Sequence, residues 1–474
     1  MLHFSAILSA LKLEKLPLDR LLLRIALLGA VTGLMAGVLV TLFRLAIEIS
    51  QTFLLPGGQA GNYEALPGWL RFLLPVAGAV VLGFFFERLP ASKRSVGIVH
   101  LLNFMRFRKQ PLPFSNAVVQ FFGGLIAIVS GHSVDREGPG VHLGAATAGL
   151  IGRKINLTED ENYLLAAAGG AAAIAAAFNT PLAGVIFVIE VLRVRYTINN
   201  IVPVIVASVV GTVISRLVYG QNPAFEVPAL AIGSLAELPV IVLMGLMIGI
   251  LGAGFIHAST LTAKFTLSWR PLYAFVFAGL ITGLLAQWAP AIMGVSYDAV
   301  DRIFHNGLGM QALLVLLIAK LIATAVSVGV RLPGGLIGPS LVIGGAVGGL
   351  TELLIQSNYP FYQGSAGFYA MIGMVAMMGA TLRAPLAALV ALMELTGNMN
   401  IILSGMIVVV TAEIAASALI GDVSAFTAML KLQHKREAEQ NARDVLLKAE
   451  KARAESDTEK EKQSAADEII HKKD

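Results

Sequence analysis

Residues 131–152 read GHSVDREGPGVHLGAATAGLIG, and the rest of the chain is organised around them. A charged triplet, Asp135-Arg136-Glu137, turns at Gly138-Pro139 into an apolar, glycine-spaced helix that meets no further charge until Arg153. Proline suits the first turn of a helix, so the spacing predicts Glu137 at a helix N-terminus among free backbone N–H groups. Such an end attracts anions. In a soluble protein an acid there would do no more than offset its own helix dipole. The surroundings of this one are not those of a soluble protein.

Of 474 residues, 56% are hydrophobic and 14% charged, and the mean hydropathy is +0.76. That excludes an ordinary soluble domain and describes a polytopic membrane protein. Apolar runs at 21–43, 69–86, 201–218, 238–256, 272–288, 313–330 and 401–420 approach the roughly 20 residues that cross a bilayer. Shorter pieces broken by Gly or Pro are tolerated at that depth only where protein or a watery cavity satisfies their backbone. One such piece follows Val96-Gly97-Ile98 and stops at Arg106 to Lys109, too short to cross. The 48 glycines let helices approach closely. With no cysteine there are no disulfides or thiolate metal sites. The net charge of +5 suits lipid contact and argues against nucleic acid. No cleavable signal is expected before the first span. Lys12, Lys15, Arg20 and the lysine-rich end predict both termini in the cytoplasm of a multi-pass protein of the plasma or inner membrane. Residues 433–474 read as a charged, solvated tail, too short for a further regulatory domain.

The second half repeats the grammar of the first. Gly138-Pro139, Leu143-Gly144 and Gly149-Leu150 are echoed by Gly338-Pro339, Ile343-Gly344 and Gly349-Leu350, at 338 against 138, an offset of 200. Gly169, Pro181-Leu182-Ala183 and Glu190 are echoed by Gly373, Pro385-Leu386-Ala387 and Glu394, at 385 against 181, an offset of 204. Internal duplication with interrupted apolar segments at matching positions marks transporters that meet their substrate near the membrane midplane. If the helices starting at 138 and 338 converge, their N–H groups make a site for a small anion without a lysine or arginine in the bilayer.

Three motifs in order carry a resemblance: Arg136-Glu137-Gly138-Pro139; the alanine run into Phe178-Asn179-x-Pro181-Leu182-Ala183-Gly184 with Phe187 and Glu190; and Gly334-Gly335-x-x-x-Pro339. Together they resemble the CLC family of chloride channels and proton/chloride exchangers. The resemblance implies an all-α polytopic membrane protein built as an inverted internal repeat of tilted, partly broken helices. The pore domain would cover 1–432, with halves at about 18–218 and 236–432 and no CBS domains after it. It also implies a homodimer with a pore in each subunit, carrying chloride and similar small anions, with no cofactor. Carried over by position, Glu137 resembles the gating glutamate. Leu336 and Ile337 match residues whose amides face a central ion; Gly138, Gly338 and Arg136 fall near the outer site. Val96, Gly97 and Ile98 fall on the family's Gly-Ser-Gly-Ile-Pro segment, and Phe426 on its pore tyrosine. Because the Arg-Glu-Gly-Pro pattern is kept, chloride is expected over fluoride.

Departures from the pattern shape the remaining expectations. Val96 and Phe426 remove both side-chain hydroxyls from the central site; each such bond to a charge is worth roughly 1.5–3 kcal/mol, so weaker central binding is expected. Asp135 replaces a glycine; an acid there either raises the barrier to anion entry or, as expected here, pairs with Arg136, because a lone charge at that depth is costly. Val191 stands where exchangers carry a proton-relaying glutamate. Passive, channel-like conduction gated by Glu137 is therefore the expectation, with a proton/chloride antiporter as the alternative. A cation-coupled solute carrier is more remote, since few acids other than Glu137 lie deep in apolar runs. Neither a Ser/His pair nor His-Glu-x-x-His is present, which argues against an enzyme. His100, His132 and His142 lack metal-ligand spacing and read as loop or helix-end residues. Glu190 and Glu394 read as braces at the repeat interface, and Met371, Met374, Met377 and Met378 as core.

Overall fold

The computed structural model describes residues 18–107, 112–155, 157–221, 225, 233–305, 307–358, 365, 367–439 and 442. The basic residues Lys12 and Lys15, and nearly all of the expected charged tail, lie outside the described residues. Within them the backbone is helix and turn, apart from one isolated antiparallel bridge, Asp135 to Gly335. Eight helices are long and apolar enough to cross a membrane.

The helices fall into two sets with matching order. The first set is α1 (Leu18–Leu54), α2 (Gly68–Arg88), α3 (Gly97–Phe107), α4 (Phe114–Val129), α5 (Glu137–Ile155), α6 (Glu159–Phe178), α7 (Pro181–Glu190) and α8 (Ile198–Tyr219). The second is α9 (Leu238–Phe265), α10 (Pro271–Leu285), α11 (Tyr297–Phe304), α12 (Met310–Gly329), α13 (Ile337–Asn358), α14 (Phe368–Leu382), α15 (Pro385–Thr396) and α16 (Ile402–Ile420). A last helix, α17, covers 425–439. In each set the third helix is short, as the apolar length of α3 predicts. The correspondence extends to backbone that residue identity hides. Gly131 and Arg331, 200 apart, have φ of 83° and 64°; Asn179 and Arg383, 204 apart, have φ of 60° and 58°.

The sets face each other in inverted fashion, and the clearest evidence is reciprocal. Glu190, ending α7, accepts hydrogen bonds from Leu386 N–H (3.1 Å) and Ala387 N–H (2.7 Å) at the start of α15. Glu394, near the end of α15, accepts them from Leu182 N–H (2.9 Å) and Ala183 N–H (2.7 Å) at the start of α7. A proline at the first position of each helix leaves these orphan N–H groups to be satisfied from outside. An acid at a positive helix end is stabilising, and here each acid serves the other half. Both glutamates are braces at the repeat interface, as expected from the sequence.

Glycines set how closely the helices cross. A Cβ on Gly169 would sit 2.1 Å from Gly144 O, and one on Gly373 would sit 2.4 Å from Gly344 O, so α5 meets α6, and α13 meets α14, backbone to backbone. These are the glycines that echo one another in sequence. Along α1, Gly29, Gly33 and Gly37 seat α8 in the same way, and Gly245 and Gly249 seat α16 against α9. Small residues spaced by four bring helices together where lipid supplies no hydrophobic drive between them. The methionines at 371, 374, 377 and 378 are buried, as expected of core.

Gly169→Leu or Gly373→Leu places a side chain into a carbonyl, and overpacking of this kind costs roughly 1–3 kcal/mol or more. Either variant is expected to unfold at a lower temperature than the wild type in detergent. Gly254→Ala, whose Cβ would meet nothing within 4 Å, is expected to match the wild type in the same melting experiment.

Candidate functional site

The lead-ins to α5 and α13 are built alike. Val134 N–H donates to His132 O (2.8 Å), and 200 residues on Gly334 N–H donates to Leu332 O (2.7 Å). The two segments then join: Asp135 N–H donates to Gly335 O, and Gly335 N–H to Asp135 O, both at 3.2 Å. Residues 135 and 335 are themselves an offset of 200 apart, so equivalent positions pair with each other. Only glycine permits this approach, because a Cβ on Gly138 would lie 2.6 Å from Gly335 Cα. The starts of α5 and α13 are thereby brought face to face, as the repeat predicts.

One side chain joins them. Asp135, fully buried, accepts Gly138 N–H on Oδ1 (3.0 Å) and Gly338 N–H on Oδ2 (2.6 Å). Each contact is a charge-assisted bond to an orphan helix N–H, at the end where the dipole favours negative charge. The expected Asp135 to Arg136 pair is therefore corrected: Asp135 is satisfied by backbone from both halves. Arg136 turns instead to Glu137, Nε to Oε1 at 3.5 Å, and to Glu48, Nη1 to Oε1 at 3.3 Å.

Glu137 opens α5 and is 1% exposed. Tyr297, opening α11, donates its hydroxyl to Glu137 Oε1 at 2.7 Å, while Glu137 Oε2 is buried with no hydrogen-bond partner among the described residues. Arg136 also lies over the Tyr297 ring, 5.5 Å from its centre. Tyr297 is placed by a buried lysine. Lys320 of α12 donates to Ile292 O (2.9 Å), Gly294 O (3.1 Å) and Ser296 Oγ (2.7 Å), fixing the turn that delivers Tyr297. On the far side of Arg136, Glu48 of α1 accepts from Arg44 Nε (2.7 Å) and from the Tyr219 hydroxyl (3.0 Å). Lys320 carried a visible signal, a single base inside an apolar helix, which marks a functional position by default. Tyr297 and Glu48 carried none.

The other expected residues gather at a cavity of about 570 Å³. Its walls include Val96, Gly97 and Ile98 from the start of α3, Gly335 and Leu336 from the α13 lead-in, and Phe426 from α17. Arg94, Arg331 and Arg436 line it too, making it attractive to anions. With Val96 and Phe426 apolar, polar contact at its Leu336 end falls to backbone. Ile337 is buried in the first turn of α13, beside Leu336. Val191 caps the end of α7 and is buried among apolar side chains, away from this cavity's walls.

His132 lies in the loop before α5, as expected, whereas His100 and His142 differ from expectation. His100, His132 and His142 are all buried, and His100 and His142 lie within helices, where their apolar flanks carry them into the core. His100 Nδ1 is 2.9 Å from His142 Nε2, and His100 also lines the cavity. No group of three or more metal-binding side chains occurs among the described residues.

Residues 77–417 match the family model described as voltage gated chloride channel. The chain is similar to the H(+)/Cl(-) exchange transporter ClcA of Vibrio cholerae serotype O1, at 30% identity over 83% of this chain and 86% of the relative. It is similar also to the H(+)/Cl(-) exchange transporter ClcA of Cronobacter sakazakii, at 28% over 90% of this chain and 93% of the relative. Among solved structures, a slow cyanobacterial Cl-/H+ antiporter shares the fold, with a TM-score of 0.75 and 24% identity over 88% of this chain and 99% of that one. Most of the sequence thus carries the family's pattern, and this chain belongs to the voltage-gated chloride channel family.

Proposed function

We propose that this protein exchanges chloride for protons across a membrane, with Glu137 as the gate. The observation that carries the reading is the meeting of two helix starts from opposite halves at Asp135, where Gly138 and Gly338 N–H groups converge on negative charge. Amides that hold a carboxylate suit a halide, which needs the same donors and no lysine or arginine in contact. Weak binding of this kind lets an ion leave as well as enter.

Val191 argues for passive conduction, but exchange is the better-supported reading. The curated relatives named above are exchange transporters, and the chain matches them over most of their length. Groups that can carry a proton are also present without an acid at 191. His100 lines the cavity and hydrogen bonds to His142 on α5, the helix that begins at Glu137. Each imidazole can pass a proton through its two nitrogens, which valine cannot. Assembly as a homodimer with cytoplasmic termini belongs to the same proposal.

In sealed vesicles, an imposed chloride gradient is expected to drive protons against their own gradient at a fixed ratio; chloride flux with no proton movement overturns exchange in favour of conduction. Glu137→Gln is expected to abolish uphill proton movement and leave a passive chloride flux. The double variant His100→Gln with His142→Gln is expected to lower proton flux more than chloride flux. Tyr297→Phe removes one charged hydrogen bond of about 1.5–3 kcal/mol from the gate, so chloride flux is expected to rise about tenfold. That gain should vanish in the Glu137→Gln background, since both changes then act on one contact.

A further inference from the structure

Glu137 is the acid that the motif points to, yet it is not the carboxylate at the converging amides. That place is taken by Asp135, which holds Gly138 N–H and Gly338 N–H through its two oxygens. Glu137 is turned aside to Tyr297 and Arg136, with Oε2 buried and unpartnered among the described residues. Two acids two residues apart thus share one site, one on the amides and one beside them. We propose that Asp135 is a second gating carboxylate: a tethered anion that occupies the amides of both halves and must be protonated or displaced before a halide takes them.

This rests on the chloride reading above and adds a step to it. An ionised Asp135 and a halide compete for the same donors, and like charges so close repel in a medium of low dielectric. Protonation removes the charge, weakens both bonds to Asp135 and frees the amides for the halide. One proton taken up at Asp135 thus makes room for one halide, which links halide binding to pH at a group other than Glu137. The charged and titratable groups facing the site are Arg136 and Glu137 on its own segment, Tyr297 from α11 and Lys320 from α12. Glu48 and Arg44 of α1 lie behind Arg136, Asp298 stands beside Tyr297, and His132 and His142 lie in the lead-in and in α5.

The test is chloride binding by titration calorimetry on the full-length purified protein, beside chloride flux from vesicles. Asp135→Asn keeps the side-chain shape and loses the charge; it is expected to bind chloride about tenfold tighter than wild type at neutral pH, the size of one charged hydrogen bond. Affinity unchanged or lowered in this variant overturns the proposal and leaves Asp135 a brace. Because removing Asp135 could also loosen the helix starts, a second measurement leaves it in place. In the Glu137→Gln protein, chloride affinity is expected to climb about tenfold as pH is lowered through the carboxylate range, from about pH 8 to about pH 4, and to lose that climb when Asp135→Asn is added. A flat affinity in Glu137→Gln alone overturns the proposal while the chloride reading stands. Absence of chloride binding and flux from wild type and every variant overturns the chloride reading itself, and the proposal with it.

Discussion

A carboxylate shut away from water must be given N–H groups, and Asp135 takes its two from helices in opposite halves of the chain. That single requirement ties the structure together. The bridge between residues 135 and 335 sets the lead-ins side by side, and the glycines at 138 and 335 allow the contact. The dipoles of α5 and α13 then point at one place. Breaking any of these would leave a buried charge with half its partners, which is the costly outcome. The paired caps at Glu190 and Glu394 repeat the idea elsewhere on the same internal symmetry.

Glu137, the proposed gate, sits at the edge of this arrangement. Glu137 faces Tyr297, which is fixed by the turn that Lys320 binds. Arg136 reaches from Glu137 to Glu48, so α1, α5, α11 and α12 all bear on the position of one acid. Acids and bases alternate along Glu137, Arg136, Glu48 and Arg44. The cavity lined by Gly335 and Leu336 approaches the same lead-in from another direction and is rimmed by arginines.

Much of this was legible in the letters. The Gly-Pro turns, the offsets of 200 and 204, and the glycine pairs 144/169 and 344/373 foretold two matched sets of helices, because close packing in lipid leaves small residues as its trace. The glutamates at 190 and 394 were readable as braces because each follows an apolar helix, before a basic or polar boundary, at matching repeat positions. What could not be read was which donors a given acid would find. Asp135 has an arginine as its immediate neighbour in sequence, yet a bridge formed with residue 335 turns its side chain to amides 200 residues away. Tyr297 reaches Glu137 only through a turn held by a lysine on another helix, and the histidines pair across two helices. Contacts of that range follow from the three-dimensional path and leave no local pattern. Val191 points toward conduction while the relatives are named exchange transporters, and one missing side chain says little about where else a proton can travel.

The most direct measurement is anomalous diffraction from crystals of the Glu137→Gln protein grown in bromide at low pH. The account predicts bromide within hydrogen-bonding reach of Gly138 N and Gly338 N, with the Asp135 side chain displaced or neutral beside it. Bromide found only among the arginines of the cavity, with the two helix starts still held by Asp135, would contradict it.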